Sequence, residues 1–273
     1  MIAKYTNHAM TKLHLSYIAE RHPLEKPASW TEETVEQSSI FRYVQKGDTV
    51  LDLGANIGRS GIVAAEAAGP EGRVVSSEAD PNNRETAQRN SHRLSNMAIV
   101  PAFADSALNL QAGDPRMGGA LASSTSGNPW VGKGEEMNSR TVATLPLSFS
   151  LSGDWDVILG DCEGCFSALL QSVDHQRLLQ STRTVILEND DSDLKRQSEM
   201  HATLKSLGFE LAECEANHFE QGSDPWRHAC FWSVHTRSVP SLKATENKAI
   251  VHKDAASSQK ATTLSQLGES YLR

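Results

Sequence analysis

Apolar positions along this chain come in short blocks with two spacings, and the two kinds alternate. Residues 49–53, 73–77, 98–102, 155–160 and 184–187 are compact, mostly apolar runs of strand length. Between them, residues 59–68, about 80–94, 166–171 and 195–207 read as helices. Their ends are marked chemically. Gly69 and Pro70 close the first, Asp80 caps the second with Pro81 in its first helical position, and Gly208 closes the last. Residues 209–214 and 229–235 read as two final strands. Upstream, Ser29 and Glu32 form a capping box for a helix bearing Val35, Ile40, Phe41 and Val44, stopped by Gly47; everything before it is weakly patterned.

Alternating strands and helices predict an α/β fold with a mostly parallel sheet, because right-handed crossovers leave few other arrangements. Residues 111–138, rich in Gly and Ser and containing Trp130, interrupt the rhythm and read as a long loop or insertion. The organisation expected is an N-terminal helical segment over 1–44, serving as a lid or substrate-side cap, a main domain over 45–235, and a flexible tail over 236–273. No internal repeat is visible.

Composition narrows the partners. The 273 residues carry 26 Lys and Arg against 34 Asp and Glu, a formal charge of −8, with no basic block. That excludes a protein built to neutralise a nucleic-acid backbone and leaves a small-molecule or glycan acceptor as the partner expected. The apolar runs fall short of the roughly 18 residues needed to span a bilayer, and residues 1–17 do not form a secretory signal. Four cysteines, Cys162, Cys165, Cys214 and Cys230, are too few for a disulfide scaffold, so a reduced, cytoplasmic setting is the simpler reading. Cys162 and Cys165 form a CxxC without a second pair at zinc-ligand spacing, and read as small packing residues behind a strand, with no metal site expected.

Ligands on parallel sheets sit at the carboxyl ends of the strands. The first strand runs into Asp52, Leu53, Gly54, Ala55, Asn56, Ile57 and Gly58. Gly54 would let a ligand approach the backbone and Gly58 would start the next helix tight against the strand, with free N–H groups facing a nucleotide-type ligand. A dinucleotide GxGxxG would need Gly where Asn56 stands, and a short-chain dehydrogenase GxxxGxG would need Gly where Ser60 stands, without a Tyr-x-x-x-Lys pair elsewhere. Hydride chemistry on NAD(P) is therefore the lesser option. Glu78, at the end of the second strand, is placed to take both ribose hydroxyls, and Asp105, past the third, to contact an adenine amino group. Asp161 and Glu163 follow the fourth strand, and Glu188, Asn189, Asp190 and Asp191 the fifth; carboxylates crowded there repel one another unless they serve a cation or a substrate hydroxyl.

These residues carry a resemblance. Residues 50–58 and 72–82 with Asn90, then Thr144 and Leu145, 155–158, 161–164 and 185–188, resemble the blocks of the FkbM family of S-adenosylmethionine-dependent methyltransferases over residues 45–214. The resemblance implies the class I methyltransferase (Rossmann-like) fold, a mostly parallel seven-stranded sheet whose last strand is antiparallel and forms a hairpin with the one before. It also implies O-methylation of a hydroxyl on a sugar, lipid or secondary metabolite. Asp52, Gly54, Asn56 and Gly58 would hold the methionine end of the cofactor, and the 161–164 block would form the reaction mouth. The family usually has Lys where Leu159 stands and an acidic residue where Phe166 stands.

Methyl transfer from a sulfonium is an in-line displacement, so positioning supplies most of the acceleration and a base must take the acceptor proton. Asp161 is the first choice for that base and Glu163 the second, with His218 or His228, near Trp226, as others. Asp161 with Glu188 and Asn189 is also similar to the magnesium triad of catechol-type methyltransferases, although metal dependence is not favoured. The rival reading is a catalytically silent cofactor-binding or adaptor protein of the same fold.

Overall fold

The computed structural model describes residues 2–25, 29–30, 33–103, 108–111, 139–142, 144–151, 153–162, 164–189, 194–215 and 230–238. Of the loop read at 111–138, residues 112–138 lie outside the described residues, as does the tail read at 236–273 beyond residue 238.

In chain order the elements are α1 (Ile2–Arg21), α2 (Thr34–Tyr43), β1 (Thr49–Leu53), α3 (Arg59–Ala68), β2 (Arg73–Glu78), α4 (Pro81–Ser91) and β3 (Met97–Pro101). There follow β4 (Leu108–Gln111), β5 (Ser139–Val142), α5 (Leu147–Leu151), β6 (Val157–Gly160) and α6 (Cys165–Leu169). A 3-10 turn (His175–Leu179), β7 (Thr184–Glu188), α7 (Leu194–Ser206), β8 (Glu210–Glu215) and β9 (Trp232–Thr236) complete them.

The main sheet has seven strands in the order β3-β2-β1-β6-β7-β9-β8. The five strands from β3 to β7 pair in parallel, β9 runs antiparallel to β7, and β8 pairs antiparallel with β9. This is the mostly parallel seven-stranded sheet expected from the sequence, including its antiparallel hairpin at the C-terminal end. Register follows from the apolar alternation. In β1, Val50 faces one core layer and Leu51 and Leu53 the other; in β6, Val157 and Leu159 flank Ile158 in the same way. Strands buried on both faces read as continuous apolar runs for this reason.

One layer is closed by α1, α2 and α3, whose Leu15, Ile18, Ile40, Ile62 and Val63 pack with Trp30 and Val44 on β1 and β6. The other is closed by Phe166, Leu170, Leu178, Leu179, Met200 and Leu204. The length of α1 is a departure from the weak patterning of its sequence. Its described buried positions are Leu15 and Ile18, one helical step apart, while Leu13 (63% exposed) and Tyr17 (53% exposed) blur the stripe. A second departure is the antiparallel pair β4 and β5, inserted between β3 and β6, which the sequence reading left within or beside the loop.

Candidate active site

β1 delivers the chain into a turn with three left-handed residues, Gly54 (φ 95°), Asn56 (φ 49°) and Gly58 (φ 96°). Gly54 is required twice over. A Cβ there would lie 1.7 Å from the Asp161 carbonyl oxygen, because the turn crosses directly against the end of β6. Asn56 is among the few non-glycine residues that tolerate a left-handed backbone.

The amides of the turn itself are engaged within the protein. Gly54 N and Ala55 N donate to the Ser77 carbonyl at 3.0 and 2.9 Å, Asn56 N donates to Glu78 Oε2 at 2.7 Å, and Gly58 N donates to the Ala55 carbonyl at 2.7 Å. These four groups do not face a ligand, because β2 lies close enough to take three of them. A pyrophosphate cradle is not what the turn presents. It presents instead the Asn56 Oδ1, buried and without a hydrogen-bond partner.

Glu78 closes β2 beneath the turn and is 5% exposed. Its Oε2 accepts from Asn56 N and its Oε1 from Asp80 N, both at 2.7 Å, leaving each oxygen a further lone pair. Burial pushes its carboxyl up to about 7, against the pull of those two amides. Asp80 is the helix cap: its Oδ1 accepts from Asn82 N at 2.7 Å and Asn83 N at 3.3 Å. Asp52 is buried under the turn with the Ser60 hydroxyl donating to it at 3.2 Å. Burial raises its carboxyl to about 6, with the nearby Ser76 and Ser60 hydroxyls acting the other way.

Asp161 stands just past β6, its amide donating to the Leu53 carbonyl at 3.0 Å. Two acids from the N-terminal segment meet it. One oxygen each from Glu33, Glu36 and Asp161 lie within 4.8 Å of one another. Glu36, on α2, is 2% exposed. Its carboxyl is raised well above the ordinary range by burial first, then by the charges of Asp161, Glu33 and Asp52. The cation nearby is Arg59, at the start of α3, which pairs with Glu33 at 2.9 Å and donates to the Ser29 carbonyl at 3.0 Å. Sequence reasoning missed Glu36. The signal was its position four residues before Ile40, which puts a carboxylate on the buried stripe of α2.

Asn189, just past β7, is tied into the sheet. Its Nδ2 donates to the Cys230 carbonyl at 2.8 Å and the Ser233 hydroxyl at 3.0 Å. Leu159 and Phe166, the two departures from the family pattern, are 0% and 3% exposed and pack into the two core layers, one on each side of the sheet. Glu163, Asp105, Asp190, Asp191, His218, Trp226 and His228 lie outside the described residues.

The cysteines differ from their reading as reduced packing residues. Cys162 is disulfide-bonded to Cys165 and Cys214 to Cys230, with Cα separations of 5.3 and 5.0 Å. Local geometry brings each pair together. Gly164 (φ 79°) folds the chain back between Cys162 and Cys165, and the β8–β9 ladder opposes Cys214 to Ser233 while the chain entering β9, with Phe231 N donating to Glu215 O, carries Cys230 to Cys214.

No family model and no curated protein matches this sequence. Among solved structures, the chain is similar to a precorrin-6y C5,15-methyltransferase from Geobacter metallireducens at 15% identity and TM-score 0.47, covering 80% of this chain and 94% of that one. It is also similar to an O-methyltransferase from Bacillus cereus in complex with SAH (13%, TM-score 0.45, 85% and 91% covered) and to a SAM-dependent methyltransferase from Aquifex aeolicus (11%, TM-score 0.41, 82% and 98% covered).

Proposed function

We propose that this chain transfers the methyl group of S-adenosylmethionine to an acceptor hydroxyl on a sugar, lipid or secondary metabolite. The observation that carries this reading is a row of carboxyls that runs from Glu36 on α2 through the half-buried Asp161 and the buried Asp52 to Glu78, beside the ends of β1, β2 and β6. Burial raises those of Glu36, Asp52 and Glu78. Such a row suits a ligand with positive charge at one end and a vicinal diol at the other. A polyphosphate dinucleotide would meet repulsion there, and the turn amides that would hold it are engaged within the protein.

The residues fit the cofactor in two respects. Asn56 Oδ1 is a buried acceptor in need of a donor, and Glu78 keeps lone pairs for ribose hydroxyls. The cofactor supplies, when bound, an electrophilic methyl group on a sulfonium. Glu78 holds the ribose, while Glu36 and Asn56 accept from the ammonium. Of the three clustered acids, Glu33 and Glu36 lie on the ammonium side, and Asp161 is left to the acceptor. Asp161 takes the acceptor proton, with Glu163 beside it in the chain.

Turnover of methyl-labelled S-adenosylmethionine with a panel of hydroxylated acceptors tests the proposal. Labelled ether product that persists in EDTA is the expected result. Binding of NAD(P) in place of S-adenosylhomocysteine overturns it, and cofactor binding without product from any acceptor favours the silent relative.

A further inference from the structure

We infer that Cys162 and Cys165 are a reversible thiol–disulfide site whose redox state is transmitted to the Asp52–Gly58 turn. The cysteines straddle the turn that follows Asp161, with Cys165 N donating to the Cys162 carbonyl at 3.2 Å and Gly164 at its left-handed corner. Both are half-buried, so a small thiol reaches them without unfolding the sheet. The two-residue spacing is the one that protein dithiols use for exchange.

The coupling is steric. The Cα of Cys162 lies 3.0 Å, and the Asp161 carbonyl oxygen 1.7 Å, from where a Gly54 Cβ would stand. The backbone of the cysteine turn is therefore in direct contact with the 54–58 turn. Cys162 and Gly164 line a small cavity with Phe166, Asn189 and Gln197. Asn189 Oδ1 and both amide atoms of Gln197 lack hydrogen-bond partners there, although each residue is 1% exposed. Unsatisfied buried groups favour a rearrangement that gives them partners.

The chemical partner is a low-molecular-weight or protein dithiol. Its thiolate attacks one sulfur of the disulfide, forming a mixed disulfide and freeing the other cysteine as a thiolate that takes up a proton. The second thiol of the reductant then displaces the remaining cysteine, which is protonated in turn. Cys162 and Cys165 gain two electrons and two protons, and the dithiol becomes a disulfide.

The test does not depend on methyl transfer. The folded full chain is equilibrated in buffers of reduced and oxidised dithiothreitol, then alkylated and mapped by peptide mass, while hydrogen exchange is followed over residues 50–60. Expected is reversible alkylation of both cysteines in the folded protein, with amide exchange over 54–58 at least threefold faster in the reduced form. The C162S/C165S double variant should show the faster exchange in every buffer and no response to dithiothreitol, which separates this pair from Cys214–Cys230. Reduction only after unfolding in urea overturns the inference. So does unchanged exchange over 54–58 in the reduced wild type, whatever the variant does.

Discussion

Substituting Glu78→Gln tests the charge that the site holds in reserve. Glu78 is buried with two backbone N–H donors, and its carboxyl rises from an ordinary 4.5 to about 7. In the folded chain it therefore keeps a proton over a range where the unfolded chain has lost it. Stability from this group is full below about 4.5 and is lost as pH rises through about 7, a total of about 3 kcal/mol. Glutamine resembles the protonated carboxyl, with one oxygen to accept and one group that faces an N–H with its own hydrogens, so near pH 5 the two proteins should be close in stability. Towards pH 8 the variant should gain on the wild type by about 3 kcal/mol, since every other titrating group is shared. Urea unfolding at pH 5, 6, 7 and 8 measures this difference. Cofactor affinity should move the opposite way, weakening at least tenfold at pH 8 as the ribose loses its charged acceptor. Parallel stability profiles, offset by a constant at all four pH values, would refute the argument that burial raises this carboxyl.

Gly54→Ala should destabilise the protein by about 3 kcal/mol in urea unfolding, from left-handed strain plus the overlap with the Asp161 carbonyl; a loss under about 1 kcal/mol would mean that the two turns do not touch as described. Asp161→Asn should cut turnover about 100-fold with cofactor affinity within a few-fold of wild type, and the reverse pattern would move Asp161 from proton acceptor to cofactor ligand. S-Adenosylmethionine binding should release protons and tighten as pH rises from 5 to 7, because a bound cation favours the ionised forms of Asp52, Glu36 and Glu78. Calorimetry in buffers of different ionisation enthalpy reads that release, and proton uptake would contradict it.

Much of the fold was legible in the chain. The strand 49–53 coincides with β1, and the runs 73–77 and 184–187 each fall one residue short of β2 and β7, because strands buried on both faces have no polar positions to confuse their pattern. Asp80 capped α4 as its neighbours implied, since the cap is a local interaction over three residues. What escaped was weakly amphipathic or lay far apart in sequence. α1 carries exposed apolar side chains beside its buried ones, and β4 and β5 are four-residue strands separated by the segment read as a loop.

The site divides along the same line. Sequence by itself determined the order of strands and helices, the glycine turn after β1 and the acids at the ends of β2 and β6, because each is written in residues that are neighbours along the chain. Only the tertiary structure decided that α2 brings Glu36 and Glu33 to Asp161, across some 125 residues, and that β2 takes the amides of Gly54, Ala55 and Asn56. It also decided that the cysteines pair and that Cys162 bears on Gly54. Charge sharing and steric contact depend on distances between segments remote in sequence, and local propensity carries no record of them.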